Sequence, residues 1–235
     1  MKKNLLIIFT VGLISSCSSS GVVVKAPIAP TDISIDLLAL GDSYTVGESV
    51  CDSCSFPEQL KDSLLANITS DRPVNLRVIA KSGYTTTKLK NAIASAEIAN
   101  SYDIATLMIG VNNQYQDKSL SIYKKEFSDL VQTAIRATKG DKDKVIVLSI
   151  PDYGFTPYGQ NSGNAKTIFK ELNVYNTIAE NYCEAQGVTF LNITDITRQG
   201  IQNPDLVASD GLHPSKLAYA RFVARMIPIV LQKLD

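Results

Sequence analysis

From residue 33 onward, short apolar runs alternate with stretches in which apolar side chains recur every three or four positions. Five runs, at 35–40, 74–80, 103–109, 145–150 and 188–193, are short and largely apolar, as strands covered on both faces must be. The intervening stripes predict helices with one inward face. They are Phe56, Leu60, Leu64 and Leu65; Leu89, Ile93 and Ala96; Tyr123, Phe127, Leu130, Val131, Ala134 and Ile135; Ile168, Leu172, Tyr175, Ala179 and Tyr182; and Tyr219, Phe222, Val223, Met226 and Val230. Ser55 and Glu58 bracket Phe56-Pro57 as a capping box, and Gly140 and Gly187 mark helix ends. Pro228 is expected to kink or shorten the last helix. Such alternation predicts an α/β class, a three-layer α/β/α sandwich around a five-stranded, mostly parallel sheet. Right-handed crossovers then favour a flavodoxin-like strand order, with ligands bound beyond the carboxyl ends of the strands.

The N-terminus breaks this pattern. Lys2 and Lys3 precede an apolar run at 5–14, about ten residues against the ~20 a spanning helix needs. Ile14-Ser15-Ser16-Cys17 follows, which resembles a bacterial lipobox with Cys17 as the acylated residue. The competing reading is an ordinary signal peptide cut near Ser16. The expected organisation is a lipoprotein signal at 1–16, a lipidated flexible tether at 17–32 and one domain at 33–235. The domain would then work in the bacterial cell envelope, on the periplasmic or outer surface, held to the membrane through Cys17. Lys and Arg total 23, as do Asp and Glu, with no basic block, so a nucleic-acid partner is not indicated. In an oxidising compartment Cys51 and Cys54 can close a small disulfide; a redox C-x-x-C is the alternative. One His and scattered Cys do not give zinc spacing, and Cys183 reads as core.

Four polar, glycine-containing turns fall where the sheet rule places a site. They are Gly41-Asp42-Ser43-Tyr44-Thr45, Ser82-Gly83-Tyr84, Gly110-Val111-Asn112-Asn113 and Asp210-Gly211-Leu212-His213-Pro214. His213 is the only histidine, so imidazole acid–base chemistry must use it. Asp210, three residues earlier, can fix its tautomer, leaving Nε2 free to deprotonate a hydroxyl; read alone, Asp210 is equally a helix cap or a turn former. Ser43, in a strand-to-helix turn, is the hydroxyl best placed to receive that base. The Ser43 and Gly83 backbone N–H groups and the Asn112 amide are candidate oxyanion donors.

Together these blocks resemble the signature of the SGNH (GDSL) hydrolase family over roughly residues 36–225. The resemblance implies the SGNH form of the flavodoxin-like fold, with Ser43, Asp210 and His213 as the triad. It implies Ser43, Gly83 and Asn112 as the oxyanion hole, and no metal or organic cofactor. Tyr44 stands where the family has Leu, and Asn113 where it commonly has Asp. Asp42, Tyr84, Asn113, Tyr153 and Phe155 are candidate pocket residues. The expected activity is hydrolysis of short-chain or acetyl esters, on small molecules or glycans. The alternatives are a non-catalytic glycan-binding lipoprotein on the same fold and a redox lipoprotein.

Overall fold

The computed structural model describes residues 34–68 and 72–234. The leader and tether expected at 1–32 lie outside the described residues.

Five strands, β1 (Ile35–Gly41), β2 (Val74–Ala80), β3 (Ile104–Met108), β4 (Val145–Leu148) and β5 (Thr189–Leu191), pair in the order β2-β1-β3-β4-β5. All four pairings are parallel, so the described sheet is wholly parallel. The helices are α1 (Ser43–Val46), α2 (Phe56–Asn67), α3 (Thr86–Ala96), α4 (Val111–Tyr115), α5 (Leu120–Ala137), α6 (Pro157–Asn161), α7 (Ala165–Gln186), α8 (Thr194–Thr197) and α9 (Lys216–Leu234). α2 packs against α9, while α5 packs against both α3 and α7, giving the two outer layers. β1, β3 and β4 in the middle of the sheet are apolar along almost their whole length. β2 is an edge strand, which is why Asn75 and Arg77 within it can face solvent.

Four local expectations are corrected. Ser55 is the N-cap of α2 but makes no capping hydrogen bond, because its side chain is buried under Gly47. Leu65, placed on the inward face by spacing, is 47% exposed; the buried stripe of α2 is Phe56, Leu60 and Leu64. Pro228 does not end α9, which runs on to Leu234. It lies on the solvent face beside exposed Ala224, whose carbonyl loses the Pro228 N–H and can turn to water. β4 stops at Leu148 rather than at 150 because Ile150 N–H donates to the Asn176 side chain of α7 at 2.7 Å, not to a neighbouring strand.

Candidate active site

In this topology β2 and β3 lie on opposite sides of β1, so the strand order reverses there and a crevice opens at the carboxyl end of β1. The turn after β1 is tight. A Cβ on Gly41 would lie 2.0 Å from Thr45 Oγ1 and 2.5 Å from the Met108 carbonyl, so only glycine fits. Asp42 caps α1 by accepting from Tyr44 N–H at 3.1 Å, and Ser43 opens the helix, 6% exposed.

Ser43, Gly83, Asn112, Tyr153, Asp210 and His213 line one cavity of about 380 Å³, so five separate segments of chain converge on it. Asp210 Oδ2 lies 2.5 Å from His213 Nδ1. Its Oδ1 accepts from the Leu212 and His213 backbone N–H groups at 2.9 and 3.0 Å, so the aspartate is a turn former as well as a histidine partner. It does not cap α9; Ser215 Oγ accepts from Ala218 N–H there. Burial alone would raise the Asp210 carboxyl, but the hydrogen bonds from His213, Ser49 and the turn outweigh it and hold it well below the usual carboxylate range. His213 also meets the Tyr44 ring edge-on at 5.6 Å.

Asn112 Nδ2 is shielded from solvent and has no hydrogen-bond partner. Gly83 sits at φ +79°, a conformation glycine adopts freely, and its carbonyl accepts from Gln116 Nε2 and Lys88 Nζ, both at 3.3 Å. Ser43 and His213 share the cavity without a hydrogen bond between them.

Four of the five candidate pocket residues do not line this cavity. Asp42, 1% exposed, accepts from Tyr44 and Gly110 N–H groups and so ties the β1 turn to the β3 turn. Burial pushes its carboxyl up to about 7 against those bonds. Asn113, fully buried, bonds Thr86 twice, at 2.9 and 2.8 Å, tying the β3 turn to the start of α3. Both are struts inside the site, with no face toward a ligand. Tyr84 packs against the core and Phe155 stacks edge-on with Phe169 at 6.1 Å, on another groove. Only Tyr153 lines the cavity.

Sequence reasoning missed Ser49. Its Oγ donates to Asp210 Oδ2 at 2.7 Å, the oxygen that holds His213. Ser49 has φ +65°, unusual for a non-glycine residue, and nothing in the sequence announces it. The same loop brings Glu48, which accepts from Ser82 Oγ, to the cavity. Cys51 and Cys54 are disulfide-bonded just beyond it.

The sequence pattern of the GDSL-like lipase/acylhydrolase family matches residues 39–221. The chain belongs to that family. Its members are lipases and acylhydrolases by description, which makes an ester-acting hydrolase the coarse reading of this domain. Solved structures agree in fold. A point variant of an acetyl xylan esterase from Geobacillus stearothermophilus is 18% identical, with 85% of this chain and 96% of that chain covered and a TM-score of 0.66. A lipase/acylhydrolase from Enterococcus faecalis gives 18% identity, 85% and 97% coverage and 0.66. A psychrotrophic esterase from a Pseudoalteromonas species, inhibited by monoethylphosphonate, gives 18%, 84% and 97%, and 0.58. Comparison with curated protein sequences returns no match.

Proposed function

We propose that this GDSL-like hydrolase is a serine esterase for short acyl groups, with Ser43 as nucleophile, His213 as base and Asp210 as the group that orients it. The observation that carries the reading is the 2.5 Å Asp210–His213 contact in the cavity that also holds Ser43 and the unpartnered Asn112 amide. An amide buried without a partner costs on the order of 1–3 kcal/mol, and is tolerated where a ligand oxygen completes it.

Ser43 Oγ forms a bond to the acyl carbon while its proton passes to His213 Nε2. The Asp210 carboxylate steadies the imidazolium through Nδ1. The carbonyl oxygen takes the negative charge and accepts from Ser43 N–H, Gly83 N–H and Asn112 Nδ2. When the tetrahedral species collapses, the ester C–O bond breaks and the alcohol leaves with the proton from His213. Water repeats the sequence on the acyl-serine, releasing the acid and restoring Ser43. The Ser43–His213 hydrogen bond belongs to the substrate complex, where such contacts commonly tighten.

A cavity of about 380 Å³ that Val111, Tyr115 and Tyr153 share with polar side chains suits acetyl or other short acyl groups. The neighbour described as an acetyl xylan esterase supports the same class. A panel of p-nitrophenyl esters of rising chain length tests this. Wild type is expected to prefer acetate to butyrate and longer chains, and Ser43→Ala to lose turnover with its melting temperature intact. Hydrolysis retained by folded Ser43→Ala would remove the assignment. The lipobox-like Ile14-Ser15-Ser16-Cys17 supports envelope anchoring through Cys17; an alkyne-palmitate label that survives Cys17→Ser would contradict it.

A further inference from the structure

The cavity holding Ser43 and His213 shares Tyr115 and Tyr153 with a second cavity of about 430 Å³. Three tyrosines meet at this junction, with ring centroids 6.2 to 6.5 Å apart. Tyr115 and Tyr158 are 54% and 39% exposed, and their hydroxyls are hydrogen-bonded at 2.7 Å. Tyr123 and Tyr219 are fully buried and Tyr84 and Tyr182 partly so; Phe169, in another groove, is the other aromatic side chain among the described residues exposed to this degree. Apart from Ile168, the rest of the second cavity is polar, with Gln114, Asn164 and Thr167 beside Asp117 and Glu171. Gln114 is fixed, donating to Glu171 at 2.7 Å and accepting from the Tyr153 hydroxyl at 2.8 Å.

Exposed rings flanked by oriented carboxylates and amides have the chemistry of a sugar site. The C–H face of a pyranose packs on an aromatic face, and its hydroxyls donate to carboxylates and bond amides. The charged side chains lining the second cavity, Asp117 and Glu171, are both acidic, which disfavours a phosphate or uronate. A long acyl chain would leave those polar groups unpaired. α4 sets the register: Asn112 and Tyr115 are three residues apart, on one face of the helix. A sugar on the Tyr115 ring therefore brings its acylated oxygen toward the Asn112 amide.

We propose that Tyr115, Tyr158 and the second cavity bind the alcohol side of the substrate as a neutral glycan, so that the ester cleaved is carried on a sugar oligomer. This rests on the esterase reading, and the test separates the two. Ser43→Ala protein, which leaves ligand intact, is titrated with partially acetylated cellopentaose and with an acetylated uronate oligomer. Binding of the neutral oligomer is expected, weakened about tenfold by adding Tyr158→Ala and kept by Tyr158→Phe. In the active protein, Tyr158→Ala should lower kcat/KM for acetylated cellopentaose about tenfold more than for p-nitrophenyl acetate. Equal losses on both esters, binding indifferent to the Tyr158 ring, or tighter binding of the uronate would overturn the proposal. If wild type cleaves neither ester, the esterase reading falls, while the titration still decides whether Tyr158 and the second cavity bind a neutral glycan.

Discussion

Ser49 gives the sharpest consequence at the scale of single residues. Its hydroxyl shares Asp210 Oδ2 with His213, so removing it frees the carboxylate to swing while leaving the histidine contact possible. Because Ser49 is held at φ +65°, Ser49→Gly relieves backbone strain and deletes the hydroxyl at once. We expect its melting temperature to hold or rise while kcat falls about tenfold and KM changes little, a split no purely structural role produces. Asn112→Ala should lower kcat by about 10²–10³ without loss of stability, since it removes an unpartnered amide rather than a bond. Asp42 predicts a pH effect. Its carboxyl is raised from 3.8 to about 7 in the fold, so its contribution to stability is complete below pH 3.8 and is lost as pH rises to about 7. Asp42→Asn, which does not ionise, should therefore gain melting temperature relative to wild type between pH 4 and 8, and match it most closely at pH 4. Ser43, Gly83, Asn112, Asp210 and His213 were legible as a set because each sits in a turn at a strand end or before the last helix. Asp42 and Asn113 lie in the same turns, but a buried strut and a ligand-facing group are the same letter in a sequence. Only the partners, Gly110 N–H for one and Thr86 for the other, tell them apart.

At the scale of elements, the stretch between α1 and α2 carries Ser49 to Asp210 and is closed by the Cys51–Cys54 disulfide. Loop-closure entropy for so short a ring is about 2 kcal/mol. Reduction with dithiothreitol is expected to lower the melting temperature by a few degrees and to lower kcat, because the loop that holds Ser49 gains freedom. Cys183 does not complicate this experiment: burial pushes its thiol up to about 12, which leaves it protonated and inert. If reduced protein matches oxidised protein in both readouts, the loop is held by its other contacts alone. The helices were legible from their stripes because α5, α7 and α9 each bury one face in the core, and periodicity records that directly. Leu65 and the end of β4 were not, since they depend on where α2 runs out of neighbours and on a side chain, Asn176, 28 residues downstream of Leu148.

For the whole molecule, a wholly parallel sheet with its reversal at β1 places every loop of the site on one edge, and two buried side chains lock those loops to each other. Asp42 joins the first and third, Asn113 the third and the helix that follows the second. The cavity is thus braced before substrate arrives, which is what stabilising a developing oxyanion requires. The central claim is that Ser43 is activated by His213 in that braced cavity. Mass spectrometry after treatment with a monoethylphosphonate ester tests it most directly. We expect a single adduct mapping to Ser43, absent from Ser43→Ala and formed far more slowly by His213→Ala; labelling elsewhere, or at the wild-type rate without the imidazole, would contradict the account.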